Sequence, residues 1–190
     1  MRLTDLSLRE VLAALGSDSP APGAGAAAGL TVALAAALVA KVARLSPDWE
    51  DAAGAAAQAR TLSLRALELA DLDARAYDAV LKARDEPTEH VDVQLRDARL
   101  GTALEHAAES PLLLAGTACD TAMLGALVAE EGEPSLQADA LGAAALASAA
   151  AQVAAELVAV NLTAMEGDER VARARGYASE AASALRSYQL

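Results

Sequence analysis

Hydrophobic residues recur along this chain at intervals of three and four rather than two, which is the spacing of amphipathic helices. The clearest stripe lies between residues 47 and 84 and contains Leu62, Ala66, Leu69, Ala76 and Val80. Charged residues such as Arg65, Glu68 and Arg75 lie between them. The pattern predicts helices that each bury one face, and it gives almost no support for strands.

Capping residues and prolines mark where the predicted helices begin and end. Ser7 and Glu10 have the spacing of a capping box, and Pro47 suits the first position of a helix. Pro111 requires a kink or a new start after residue 109. The predicted helices cover residues 7–16 (starting as early as 4), 23–45, 47–84, 89–109, 110–131, 136–165 and 168–187.

The composition supports a helical bundle built with a small-residue core. Of the 190 residues 53 are alanine, phenylalanine is absent, and Trp49 is the only tryptophan. Alanine is the best helix former and a poor strand former, and a chain of this length buries a core without disulfides or metals. We therefore expect one all-α domain, residues 1–190, folded as an Ala-rich bundle of about five to seven helices.

Charge and leader signals limit the possible partners and location. The formal net charge is -12, and 15 lysines and arginines supply no obvious basic face for nucleic acid. Asp5, Arg9 and Glu10 interrupt the apolar run that a signal peptide needs, so we expect a cytoplasmic protein. Residues 23–40 carry no charge, but an Ala- and Gly-rich stretch of about 18 residues is marginal for a bilayer. We expect a buried helix there and no membrane contact.

Asp73 is the candidate catalytic residue, because it falls on the apolar stripe of the predicted third helix. Helical geometry places Asp71 and Asp78 on the solvent side and Tyr77 one turn from Asp73 on nearly the same face. A carboxylate on an apolar face must be paired, hydrogen-bonded or raised in pKa. Two interpretations stay open, a general acid or base and a buried ion pair with an arginine of another helix.

The segment Ser19-Pro20-Ala21-Pro22-Gly23-Ala24-Gly25 precedes the most apolar predicted helix. Free N–H groups and the helix dipole at such a start favour an anion or a polar ring edge, and glycines let a ligand approach the backbone. The alternative is that Gly25 and Gly29 form a small-residue face on which another helix packs.

Two polar residues of the predicted sixth helix, Asp139 and Asn161, lie about 33 Å apart along its axis, so they cannot share one site within one chain without other elements. Each also has a structural interpretation, a favourable charge at a helix start for Asp139 and an interhelix hydrogen bond for Asn161. Cys119 is expected to be a small buried hydrophobe. His90 and His106 are expected to face solvent, and no metal site is predicted because they lie 16 residues apart without a clustered carboxylate or thiol.

The order of these segments resembles the cyclodeaminase and methenyltetrahydrofolate cyclohydrolase family, the C-terminal domain of formiminotransferase-cyclodeaminase. The resemblance spans nearly the whole chain. It is carried by the Pro-Gly segment and Asp139 together with Val42-Ala43-Arg44-Leu45, Asp73-Ala74-Arg75-Ala76-Tyr77, Ser110-Pro111-Leu112 and Val160-Asn161-Leu162.

The resemblance implies a homodimeric helical bundle that converts a tetrahydrofolate derivative, either closing formiminotetrahydrofolate with loss of ammonia or opening the 5,10-methenyl form with water. It makes Asp73 the general acid or base. The residues implied to bind the substrate are Ser19, Pro22, Gly23, Gly25, Lys41, Arg44, Tyr77, Asp139 and Asn161.

Within that family the loop commonly reads Pro-Gly-Gly-Gly-Ser, whereas Ala24 and Ala26 stand here in place of a glycine and the serine. Ala138 and Leu157 likewise replace polar family residues. The alternative function is therefore a non-catalytic family member that binds folate or assembles with other proteins.

Overall fold

The computed structural model describes residues 2–85, 93–163, 165 and 167–186. These residues form helices without any strand, which confirms the predicted all-α bundle. The seven α-helices of this part of the chain are α1 (Leu8–Leu15), α2 (Ala24–Arg44), α3 (Ala52–Arg84), α4 (Val93–Ala107), α5 (Glu109–Glu131), α6 (Gln137–Asn161) and α7 (Glu169–Arg186).

The helix ends follow the capping signals with two exceptions. The Ser7 and Glu10 side chains form the predicted capping box at α1. Helix α3 begins at Ala52, so the prediction of a start at Pro47 is wrong. The reason is Ser46, whose hydroxyl donates to the Val42 carbonyl and accepts the Glu133 N–H, which holds the chain in turns before α3.

The other exception is α6, which ends at Asn161 rather than near residue 165. After Asn161 the Leu162 N–H donates to the Val158 carbonyl, and the chain leaves the helix through a turn containing Gly167 with a positive φ of 80°. The predicted start of the fourth helix at residue 89 lies outside the described residues.

Four helices form an antiparallel core. Helix α2 runs against α3, because Gly29 meets Ala70 while the Ser63 hydroxyl, further towards the start of α3, donates to the Ala33 carbonyl. Helix α6 runs antiparallel to both α2 and α5, and α5 runs antiparallel to α3. Helix α7 lies across α5 and α6.

Alanine and glycine allow these helices to approach closely. A Cβ added to Gly29 would lie 2.8 Å from the Ala70 Cβ, and one added to Gly125 would lie 3.1 Å from the Ala144 Cβ. Most of the fully buried positions are alanine, with Val32, Val39 and similar residues between them. The expected core of small aliphatic side chains is therefore present.

The antiparallel order collects different helix ends at the two ends of the bundle. The starts of α2 and α5 and the final turn of α6 lie together at one end, beside the middle of α3. The end of α2 and the start of α6 meet at the opposite end. The Pro-Gly segment therefore opens onto the end where α2, α5 and α6 meet α3.

Three stretches of the described chain, Ala24–Arg44, Val93–Glu131 and Pro134–Asn161, are long and apolar enough to cross a membrane by length and composition. In the bundle, 61%, 72% and 50% of their most apolar windows are buried. Their apolar residues form the faces through which these helices pack against one another.

Candidate active site

A cleft of about 330 Å³ opens at the bundle end that carries the Pro-Gly segment. Its walls come from the start of α2, from α3, and from the final turns of α4 and α6. The lining residues are Pro20, Gly23, Ala24, Gly25, Asp73, Tyr77, Ala107, Leu157, Val160 and Asn161. Five of the predicted site residues, Gly23, Gly25, Asp73, Tyr77 and Asn161, are thus brought together by the fold.

Asp73 reaches from α3 to the first turn of α2. Its carboxylate accepts the N–H of Ala26, and its Oδ1 accepts a hydrogen bond from the Ser110 hydroxyl at 3.3 Å. The N-cap of α2, Gly23, has no side chain that caps the helix. Asp73 therefore satisfies a free N–H of α2 from a neighbouring helix, as an N-cap residue would do from within the chain.

Gly25 leaves the space that the Asp73 carboxylate occupies. A Cβ built at Gly25 would overlap all three atoms of that carboxylate. Gly29, one turn further, instead meets Ala70 and the carbonyl of Ala66. The two glycines therefore have different roles. Gly25 leaves room for the Asp73 carboxylate, and Gly29 lets helix α3 pack closely against α2.

Burial raises the pKa of Asp73 above its ordinary value, although the hydrogen bonds from Ser110 and Ala26 act in the opposite direction. The positive end of the α2 dipole points at the carboxylate and favours its charged form. Burial therefore makes the charged form less favourable but still accessible. No lysine or arginine among the described residues pairs with Asp73, which removes the buried ion pair as its role. A half-buried carboxyl of this kind is suited to moving a proton nearer to neutral pH.

Tyr77 and Asn161 flank Asp73 on two sides of the cleft. Tyr77 lies one turn along α3 and keeps 37% of its surface exposed, so its ring forms an outer wall. Asn161 donates its Nδ2 hydrogen to the Ala107 carbonyl at 3.0 Å, which joins the ends of α4 and α6. The interhelix hydrogen bond expected for Asn161 is confirmed, and the residue also lines the cleft.

The other predicted binding residues lie elsewhere. The Ser19 hydroxyl is exposed and donates to the Ala21 carbonyl within the loop, and Pro22 faces a second hollow behind the loop. Lys41 lies 16 residues after Gly25 on α2, about 24 Å away along the axis. It pairs with Asp139 at 3.1 Å, and Arg44 is exposed at the same end of the bundle. One chain by itself does not bring Lys41, Arg44 or Asp139 to the Asp73 cleft.

The expectation that Asp71 faces solvent is wrong, because the N-terminal segment covers it. Its side chain is only 4% exposed and accepts hydrogen bonds from Arg2 Nε at 3.1 Å, Leu3 N at 2.7 Å and the Thr4 hydroxyl at 3.1 Å. Burial alone would raise the pKa of Asp71, but these hydrogen bonds and the Arg2 charge outweigh it and lower the pKa. Asp78, the other acid predicted to face solvent, is exposed.

Sequence reasoning did not assign Ser110 to the site. It is 6% exposed in the first turn of α5 and donates to Asp73. Its position before Pro111 was visible as a helix start, but only the packing of α5 against α3 directs its hydroxyl at Asp73. Leu157 and Val160, which form an apolar wall, were likewise not predicted as lining residues.

The remaining chemistry-bearing residues lie away from the cleft. Cys119 is buried as predicted, and burial together with the charges of Glu180 and Asp120 raises its pKa to about 11. His106 is 71% exposed as predicted, whereas His90 lies outside the described residues. In the described part of the chain no three His, Cys, Asp or Glu side chains are grouped to hold a metal ion.

Comparisons with known sequences and structures identify the family of this chain. A search of curated protein sequences gave no match. The crystal structure of formiminotetrahydrofolate cyclodeaminase from Thermotoga maritima is similar over 100% of both chains, with a TM-score of 0.79 and 25% sequence identity. The family model described as formiminotransferase-cyclodeaminase matches residues 7–180. The chain therefore belongs to the formiminotransferase-cyclodeaminase family.

Proposed function

We propose that this protein is a folate-converting enzyme, a formiminotetrahydrofolate cyclodeaminase or a methenyltetrahydrofolate cyclohydrolase, in which Asp73 is the general acid or base. The observation that carries the proposal is the half-buried Asp73 carboxyl, raised in pKa, on the wall of the 330 Å³ cleft. Membership of the family and the similarity to the Thermotoga maritima cyclodeaminase supply the substrate class.

The cyclodeaminase reaction needs one proton to be moved between two nitrogens. As the second folate nitrogen bonds to the carbon of the protonated formimino group, that nitrogen loses a proton to the Asp73 carboxylate. Asp73 then returns the proton to the amino group on the same carbon, the carbon–nitrogen bond breaks, and ammonia leaves the methenyl product. In the cyclohydrolase reaction the same carboxylate takes a proton from the attacking water.

The remaining cleft residues would hold the substrate rings against Asp73. Because Gly23 and Gly25 carry no side chain, the backbone at the start of α2 is open to a polar ring edge. The Tyr77 ring supplies an aromatic wall, and Asn161 supplies an amide on the wall formed by α6. A volume of about 330 Å³ is near the lower end for small-molecule sites, so it suits the ring system rather than a whole folate.

The test is direct turnover by the purified protein. The protein is mixed with 5,10-methenyltetrahydrofolate and the loss of its absorbance is followed, then with formiminotetrahydrofolate while released ammonia is measured. Turnover of one substrate supports the proposal and identifies the reaction. If neither substrate is converted at a rate above the uncatalysed one, the enzyme proposal is wrong.

We also propose that the chain forms a homodimer in the cytoplasm through the outer faces of α2 and α6. Leu34 and Leu146 lie at the same level of these adjacent antiparallel helices and are 67% and 48% exposed. Exposed alanines surround them, so two copies could approach closely. A mass measurement in solution tests this, with Leu34→Glu expected to give monomers and Leu8→Glu, exposed on α1, expected to leave the dimer intact.

The dimer bears on Lys41, Arg44 and Asp139. These residues contribute to a folate site only if a second copy carries them to the cleft. Lys41→Ala therefore distinguishes two arrangements. A raised KM would show that the second copy brings its Lys41 to the cleft, and an unchanged KM would place the site within one protomer.

A second candidate function is a non-catalytic member of the family that binds folate or assembles with other proteins. The apolar cleft wall favours it, because Ala24, Leu157 and Val160 offer a substrate no side-chain hydrogen bond. Binding of 5-formyltetrahydrofolate measured by calorimetry, together with no turnover in the assays above, would select the folate-binding form of this candidate.

A further inference from the structure

Two grooves lead away from the Asp73 cleft along helix α6. The first, of about 490 Å³, runs between α6 and α7 and shares Ala24, Leu157 and Val160 with the cleft. The second, of about 620 Å³, lies over the turn between α6 and α7 and shares Val160 with the cleft. A ligand too long for the cleft would therefore continue into one of these grooves.

Arg175 of helix α7 lines both grooves. It is exposed, and within the described residues it forms no ion pair, unlike its neighbour Arg170, which binds Asp168 at 2.7 Å. The other charged side chain of the first groove, Glu156, lies on the α6 wall. Both routes out of the cleft thus pass a guanidinium group with no protein partner in the described chain.

The reacting rings of a folate lie at one end of the molecule, and its glutamate lies at the other end. The ring end fits the cleft under the proposed function, so the aminobenzoyl group would follow the apolar wall of Leu157 and Val160. The glutamate carboxylates then need a cation beyond that wall. Lys41 and Arg44 lie at the opposite end of the bundle, whereas Arg175 stands beside the grooves.

We propose that Arg175 binds the glutamate carboxylates of the folate substrate and that the groove between α6 and α7 holds the aminobenzoyl tail. This inference rests on the proposed function and adds a specificity residue to it. A guanidinium group pairs with carboxylates through two parallel hydrogen bonds, which a neutral amide cannot reproduce.

The experiment compares 5,10-methenyltetrahydrofolate with the corresponding tetrahydropteroate, which has the same reacting rings but no glutamate. For the unaltered protein, the pteroate should have a KM about tenfold higher than the folate, as expected for loss of a solvent-exposed charged hydrogen bond. Arg175→Gln should raise the folate KM by about the same factor, leave kcat within about twofold, and leave the pteroate KM unchanged.

The matched control is Arg173→Gln, because Arg173 is an exposed arginine two residues earlier on α7 that lines neither groove. It should behave as the unaltered protein with both substrates. Equal folate KM values for Arg175→Gln and the unaltered protein, or an equal loss with both substrates, would overturn the inference and leave the proposed function intact.

The two proposals fail in different ways. If the unaltered protein converts neither substrate, binding of 5-formyltetrahydrofolate is measured by calorimetry. Weaker binding by Arg175→Gln but not by Arg173→Gln would support the tail site without catalysis. No binding by the unaltered protein would overturn both the folate proposal and the tail site.

Discussion

Replacing Asp73 with asparagine removes the titratable proton at the candidate site while keeping the shape of the side chain. The asparagine carbonyl can still accept the Ala26 N–H, and its amide can donate to the Ser110 oxygen. Because the interior loses no hydrogen bond and sheds the burial cost of a charge, we expect the free energy of unfolding at pH 7 to stay within about 1 kcal/mol of the original.

Activity should respond quite differently. General acid and base catalysis contributes about 10²–10⁴ to the rate, so kcat should fall by that factor in Asp73→Asn. Asp73→Ala should lose activity similarly but also destabilise the fold by about 1–3 kcal/mol, because the buried Ala26 N–H then has no acceptor. The comparison separates the chemical role of the carboxyl from its capping of α2.

The pH dependence supplies a further check with a defined sign. Burial raises the pKa of Asp73 in the folded protein above its unfolded value of about 3.9. Below that unfolded value the carboxyl is protonated in both states, and as the pH rises through the folded pKa the original protein loses stability relative to Asp73→Asn. The matching limb of the activity profile should disappear in the variant.

The assays are turnover of the preferred folate across pH and urea unfolding followed by circular dichroism at pH 4 and pH 7. If Asp73→Asn keeps more than about a tenth of kcat, Asp73 is not the general acid or base. If it unfolds as readily as Asp73→Ala, the charged carboxylate is needed for capping and the structural argument is wrong.

Three other substitutions and reactions test the surrounding structure. Asp71→Ala should lower the free energy of unfolding by about 1–3 kcal/mol at pH 7, with Asp78→Ala as an exposed control. The difference between the two variants should shrink as the pH falls through the lowered pKa of Asp71, and a difference that does not change with pH would contradict the assignment. Gly25→Ala should reduce both activity and stability because its Cβ overlaps the Asp73 carboxylate, whereas Gly176→Ala, with open space around it inside α7, should stabilise by about 0.5–1 kcal/mol in urea unfolding. Cys119, buried and with a pKa of about 11, should react with a thiol reagent at pH 8 only after unfolding, and rapid labelling of the native protein would show that the thiol is accessible.

Local sequence determined the helices and the inward position of Asp73. Apolar spacing and capping residues act within a few positions, so the capping box at Ser7 and the stops before Pro-rich turns were predictable. Asp73 belongs to a stripe with Leu69 and Val80, and helical geometry alone turns it towards the core. The start at Pro47 failed because the decisive hydrogen bonds of Ser46 include one to Glu133, a residue 87 positions later.

The site itself depended on contacts between distant residues. Five predicted residues meet in the cleft because α2 runs against α3 and α6, which sets Gly25 beside Asp73 and near Asn161. The distance between Gly25 and Lys41 follows from the helix rise, but sequence could not show that Lys41 pairs with Asp139 at the far end of the bundle. Nor could it pair Ser110 with Asp73 across 37 residues.

What the sequence determined by itself was the all-helical fold, the alanine core and the single carboxylate on the main apolar stripe, because these follow from interactions within a few turns. The tertiary structure decided which groups surround that carboxylate. It placed the α2 start and Ser110 on Asp73, buried Asp71 under residues 2–4, and put Arg175 beside the grooves. Those outcomes depend on helix packing and chain direction over tens of residues, which no local pattern encodes.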